Sequence, residues 1–151
     1  MGFEPSIVYR DRVAAIQWLQ RAFGFETTLV VQQADGQIGA AQMSFGDGQL
    51  WIAAEMPEQN GADVAKRVSP ISTGGLNTQS VEVQMENGID AHFAQAQAAG
   101  AVIVQELADQ FYGARTYRAV DLEGHLWTFL QHIPMAEDAM TSRGLTVKTS
   151  L

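Results

Sequence analysis

The run Tyr112-Gly113-Ala114-Arg115-Thr116-Tyr117-Arg118-Ala119-Val120-Asp121-Leu122-Glu123-Gly124-His125-Leu126-Trp127-Thr128-Phe129-Leu130-Gln131 reads as a β-hairpin. Two segments rich in β-branched and aromatic residues flank Asp121 to Gly124, where Asp favours a turn and Gly tolerates positive φ. Histidine, arginine and several aromatics crowd into this run, the composition of a functional site. Whether it is one depends on how much of it recurs elsewhere in the chain.

Much of it does recur. Gly24 and Gly100, Gly48 and Gly124, Leu50 and Leu126, and Trp51 and Trp127 are all 76 positions apart. Ala15 and Ala22 match Ala91 and Ala98 at the same spacing. Gly-x-Leu-Trp repeating in step with a helix-stop glycine marks an internal duplication.

Each half reads β-α-β-β-β. In the first, residues 4–10 form a strand and Asp11 caps a helix over Arg12–Phe23. Its apolar stripe is Ala15, Trp18, Leu19 and Ala22,. Strands are predicted at Thr27–Gln33, Gly39–Phe45 and Gln49–Glu55, separated by Asp35-Gly36 and Gly46-Asp47-Gly48,. Residues 56–75, with two prolines and a Gly-Gly pair, read as a linker with one turn of helix near Ala62–Arg67,. In the second half Ser80–Met85 is a strand, and Asp90 caps a helix running to Ala99. Strands follow at Val102–Glu106, Arg115–Val120 and Leu126–Gln131. The organisation is one α+β domain over residues 1–151: a module at 4–55, the linker at 56–75, a module at 76–132 and a polar tail at 133–151. The tail is expected to be mobile or wrapped on a partner subunit.

Composition narrows the function classes. The chain has 151 residues, a net charge of −8 and no cysteine. Thiolate metal sites, disulfides and cysteine nucleophiles are excluded, and the acidic balance argues against nucleic acid, whose phosphates need a basic face. No apolar run reaches the length of a bilayer span, so no membrane partner is expected. Met1-Gly2-Phe3-Glu4-Pro5 shows no secretory signal, which makes a cytoplasmic location the expectation,. No Gly-x-Ser-x-Gly occurs, so acyl-enzyme chemistry has no support,.

The duplication sorts the hairpin into scaffold and remainder. Gly124, Leu126 and Trp127 have counterparts and read as scaffold, and His125, matching Gln49, reads as a turn residue bonding its own loop. Arg115 matches Gly39 and Tyr112 matches Gly36, so the scaffold demands neither. Arg115 either pairs with Asp121 or Glu123 or serves a ligand.

A duplicated βαβββ unit, with Val8-Tyr9-Arg10-Asp11 leading into a helix that ends Ala22-Phe23-Gly24-Phe25-Glu26, resembles the vicinal oxygen chelate superfamily. That superfamily includes glyoxalase I, the bleomycin resistance proteins and the extradiol dioxygenases. The closing run, from Tyr112-Gly113-x-Arg115 to Asp121-x-Glu123-Gly124-His125-x-Trp127, is similar to its small glyoxalase-like and bleomycin-resistance-like subgroup. Leu122 departs from the proline usual in that turn, which should loosen it. The resemblance implies that each module curls into a half-barrel sheet around a cavity, with helices on the outer face, and that the protein forms a homodimer.

Strand alternation then assigns the cavity face. Glu4, Ser6 and Val8 point inward from the first strand, and Ser80, Glu82 and Gln84 from the fifth. Leu126, Thr128 and Leu130 point inward from the last strand, and Leu50, Ile52 and Ala54 from its counterpart. The resemblance places the ligands of metal-using members at Glu4, Ile52, Ser80 and Thr128, of which only Glu4 is a ligand type,. The expectation is therefore a small-molecule-binding protein with no metal or other cofactor, taking a cationic or aromatic compound. Its candidate ligand-binding residues are Glu4, Glu82, Tyr112, Arg115, Tyr117 and Thr128. The alternative is a lyase, isomerase or dioxygenase of the same superfamily, metal-dependent or metal-free.

Overall fold

Asp11, in extended conformation, accepts the Ala14 amide at 3.0 Å and so starts helix α1 (Arg12–Phe23), which ends at Gly24 with φ 71°,. In this computed structural model, which describes residues 2–58 and 66–150, α1 follows strand β1 (Ser6–Tyr9). Strands β2 (Glu26–Gln32), β3 (Ile38–Phe45) and β4 (Gly48–Ala54) complete the first module. The second comprises β5 (Ser80–Met85), α2 (Ile89–Ala98), β6 (Val102–Gln110), β7 (Ala114–Val120) and β8 (Leu126–His132). The two sheets have matching orders, β1-β4-β3-β2 and β5-β8-β7-β6, with the first and last strand of each module parallel.

Two expected details change. Gly88, not Asp90, sits at the N-cap of α2; Asp90 lies inside the first turn, where Arg115 binds it. The expected turn of helix near Ala62–Arg67 falls largely outside the described residues. Arg67 itself forms an antiparallel bridge with Met56, and Pro70–Thr73 makes a short 3-10 turn.

One face of each sheet is buried under helices that touch each other. The stripe Ala15, Trp18, Leu19 and Ala22 is buried as expected, and Phe23 extends it into the second module. The Phe23 ring lies 5.4 Å from that of Trp127 and 4.7 Å from that of Phe129, both on β8. The modules thus share one core, and each fully buried large side chain contributes about 1.5–3 kcal/mol of hydrophobic stabilisation,.

The repeat conceals a slip of one residue. Met43 faces Leu50 across β3 and β4, while Ala119 faces Trp127 across β7 and β8. All four are buried on the helix side. The second turn therefore holds one residue more than the first, and a shift of one reverses side-chain facing. Leu50, not Trp51, is the counterpart of Trp127. This corrects the inward set expected for β4: Leu50 and Ile52 belong to the core, and the opposite face carries Gln49, Trp51 and Ala53.

Past β8, the Arg143 guanidinium lies 4.5 Å over the Phe111 ring, and Ala139 is buried. This part of the tail packs on its own chain.

Candidate functional site

The β7–β8 turn is occupied in holding the modules together. Asp121 is buried, and its Oδ1 accepts the Glu123 and His125 amides, each at 3.0 Å. Its Oδ2 accepts the Trp127 indole N–H at 3.0 Å and the Tyr9 hydroxyl at 2.5 Å. Burial, and then the Asp121 carboxylate, push the Tyr9 hydroxyl well above its usual pKa. Glu123 accepts the amides of Arg10 and Asp11, each at 2.8 Å. The His125 ring nitrogen Nε2 donates to the Val8 carbonyl at 2.8 Å. His125 thus bonds its own loop through its backbone and the other module through its ring. Leu122 packs against the core in the position where proline is usual.

The six residues proposed from sequence separate into groups. Glu82 and Thr128 are directly paired across β5 and β8, on the face turned away from the helices. Glu4 lies on the equivalent face of the first module. Its Oε2 accepts the Trp51 indole N–H at 2.8 Å and the Gln42 amide at 3.2 Å. Tyr117 lies fully buried on the helix side, its hydroxyl 2.6 Å from His92 Nδ1. Arg115 also faces the helix: it grips Asp90 through two nitrogens, at 2.8 and 3.1 Å, and Asp109 through a third at 2.6 Å. Asp90 and Asp109, not Asp121 or Glu123, are its partners, and the Arg115 bonds lower the Asp90 pKa. Tyr112 stands half-exposed in the β6–β7 turn, across the sheet from β5. Only Glu82 and Thr128 come together.

Among the described residues, clefts open at three places on the surface. One, about 630 Å³, lies between the start of α1 and the β2–β3 turn. Its polar groups serve the fold: Asp11 caps α1, and Arg12 donates to the Ile38 carbonyl at 2.6 Å. The second, about 480 Å³, runs along the free edge of β1, past Ser6 and Val8, to the linker and His125. The third, about 270 Å³, runs along the free edge of β5 to the β3–β4 turn. Glu82, Asp47, Gln49, Gln84 and Phe45 line it, with the Phe25 ring 5.4 Å from that of Phe45.

The family described as the Glyoxalase/Bleomycin resistance protein/Dioxygenase superfamily has a model that matches residues 5–129. The chain belongs to this superfamily. It is 35% identical to TioX from Micromonospora sp. ML1, whose crystal structure matches with a TM-score of 0.69 over 88% of this chain and 100% of that one. An uncharacterised protein of Mycobacterium bovis is 28% identical over 148 residues, 95% of this chain and 94% of its own. FosX from Listeria monocytogenes, a fosfomycin resistance protein solved with Mn(II) and sulfate, shares the fold at a TM-score of 0.60 and 12% identity, covering 95% of this chain and 97% of that one.

A superfamily metal centre does not fit the residues present. With the facing of β4 corrected, Ile52 is in the core and its expected place falls to Trp51, which is no ligand, and Ser80 and Thr128 are poor ones,. Glu4 already accepts two hydrogen bonds on one oxygen. Among the described residues, no three His, Asp or Glu side chains converge.

Sequence reasoning missed Asp47, Gln49 and Trp51. Trp51 was hidden by its apparent match with Trp127. The signal that could have exposed it is the longer Asp121–His125 turn, whose extra residue reverses the facing.

Proposed function

We propose that this superfamily member binds a small planar cationic compound, without a catalytic metal, in the cleft at the free edge of β5. One observation carries the reading: two acidic residues, Glu82 and Asp47, line the same cleft as the aromatic residues Phe25 and Phe45. Carboxylates beside an aromatic face attract a cation twice over, by charge and by the ring quadrupole. A cleft of about 270 Å³ suits a single fused-ring group,. Thr128 sits beside Glu82, and the Glu4–Trp51 pair occupies the equivalent face of the first module. Edge strands β2 and β6 expose Leu29, Val30, Val31, Val102 and Val104, an apolar surface that supports a homodimer,.

Calorimetry with proflavine, a planar aromatic cation, tests the reading. Saturable binding weakened about tenfold by Glu82→Gln is expected, the size of a partly desolvated cation contact. Equal affinity in both proteins would overturn it.

A further inference from the structure

The clefts at the edges of β1 and β5 are counterparts created by the duplication. Ser6 and Val8 line one, and Glu82 and Gln84, each 76 positions later, line the other. Each cleft is closed by the turn entering the last strand of the opposite module: His125 closes the first, and Asp47, Gly48 and Gln49 the second.

Their charge has diverged. Where the β5 cleft has Glu82, the β1 cleft has Ser6, and no carboxylate lines it among the described residues. Lys66 and Arg67 line it instead, supplied by the linker. In a chain with 17 acidic and 9 basic residues, such a lining is the reverse of the overall charge balance. The Arg67 backbone is held by two hydrogen bonds to Met56, at 2.7 and 2.9 Å, and one guanidinium nitrogen donates to the Met56 sulfur at 3.0 Å, which leaves its other N–H groups for an anion,. Guanidinium and ammonium groups bind carboxylate and phosphate oxygens, and in a net negative protein a local concentration of cations favours an anion there. The volume, about 480 Å³, lies in the range of small-molecule sites,.

We propose that the β1 cleft is a second binding site, selective for an oxyanion group, a carboxylate or a phosphate, of a small molecule. The duplicated scaffold then carries two sites of opposite charge preference.

The test is an amide-resolved NMR titration of the full chain, with inorganic phosphate in one arm and acetate in the other. Sodium chloride at matched ionic strength serves as the control. Saturable shifts at Ser6, Thr78 and Gln79 are expected, and the arm that saturates at lower concentration identifies the group. Lys66→Gln with Arg67→Gln should weaken binding about tenfold or more. Thr78→Glu, which keeps both cations but places a charge in the cleft, should abolish it. Glu82→Gln should leave it unchanged, so the two sites fail or succeed separately. The proposal is overturned if neither anion gives saturable shifts, if chloride reproduces them, or if both cleft variants bind as the parent does.

Discussion

Asp121 is the residue on which the two modules converge, because its carboxylate accepts four hydrogen bonds and one comes from the other module. Removing the Tyr9 hydroxyl deletes that donor without changing the shape of the core. A hydrogen bond to a charged group contributes about 1.5–3 kcal/mol. Tyr9→Phe should therefore lower the unfolding free energy by that amount in urea denaturation; a loss below about 0.5 kcal/mol would show that the contact is not closed in solution. Arg115, so prominent in the sequence, is a surface clamp on Asp90 and Asp109. Isolated exposed ion pairs of that kind contribute little to stability.

Among the elements, the turns carry the information that strand periodicity lacks. The β6–β7 turn contains Gly113 at φ 81°, and a Cβ there would stand 2.8 Å from the Met135 Cβ. Gly113→Ala combines a left-handed backbone with an overlap against the segment leaving β8, so it should destabilise by about 1–3 kcal/mol. Thermal unfolding checks this, and an unchanged Tm would mean that the turn and tail move together at little cost. The β7–β8 turn shows a different effect. Its one additional residue sends Trp127 into the core, while Trp51, in the same Gly-x-Leu-Trp tetrapeptide, faces outward to donate to Glu4.

At the scale of the molecule, the modules interlock through a second polar contact deep in the core. His92 of α2 donates from Nε2 to the carbonyl of Phe23, at the end of α1, at 3.0 Å. Its Nδ1 then accepts the Tyr117 hydroxyl, which requires a neutral ring,. Burial lowers the His92 pKa below its ordinary value of 6.5. The unfolded chain therefore takes up a proton that the folded chain resists. This stabilisation is complete above pH 6.5 and is lost as pH falls toward the depressed folded value. Melting temperature should accordingly drop between about pH 7.5 and 5, less steeply in His92→Gln, whose amide keeps a donor for Phe23. Parallel slopes in the two proteins would remove His92 from the account.

The duplicated βαβββ order, the α+β class and the helix stripe were legible in the sequence because they rest on local chemistry. Capping at Asp11, a left-handed glycine at Gly24 and alternation along each strand depend on neighbours a few residues away. The facing of β4 was not legible. A repeat spacing of 76 aligns the tetrapeptides, but hydrogen-bond pairing sets the facing, and β4 and β8 keep a spacing of 77 against Leu50 and Trp127. The residues proposed for binding divide along the same line. Glu82 was proposed from alternation within its own strand. Asp47 beside it, and Lys66 and Arg67 beside Ser6, meet only when one module's edge strand packs against the other module's turn or the linker. The run from Tyr112 to Gln131 looked like an active site and is largely a clasp. Its Asp121, Glu123 and His125 bond to Tyr9, Arg10, Asp11 and Val8, partners more than a hundred residues away that local pattern cannot name.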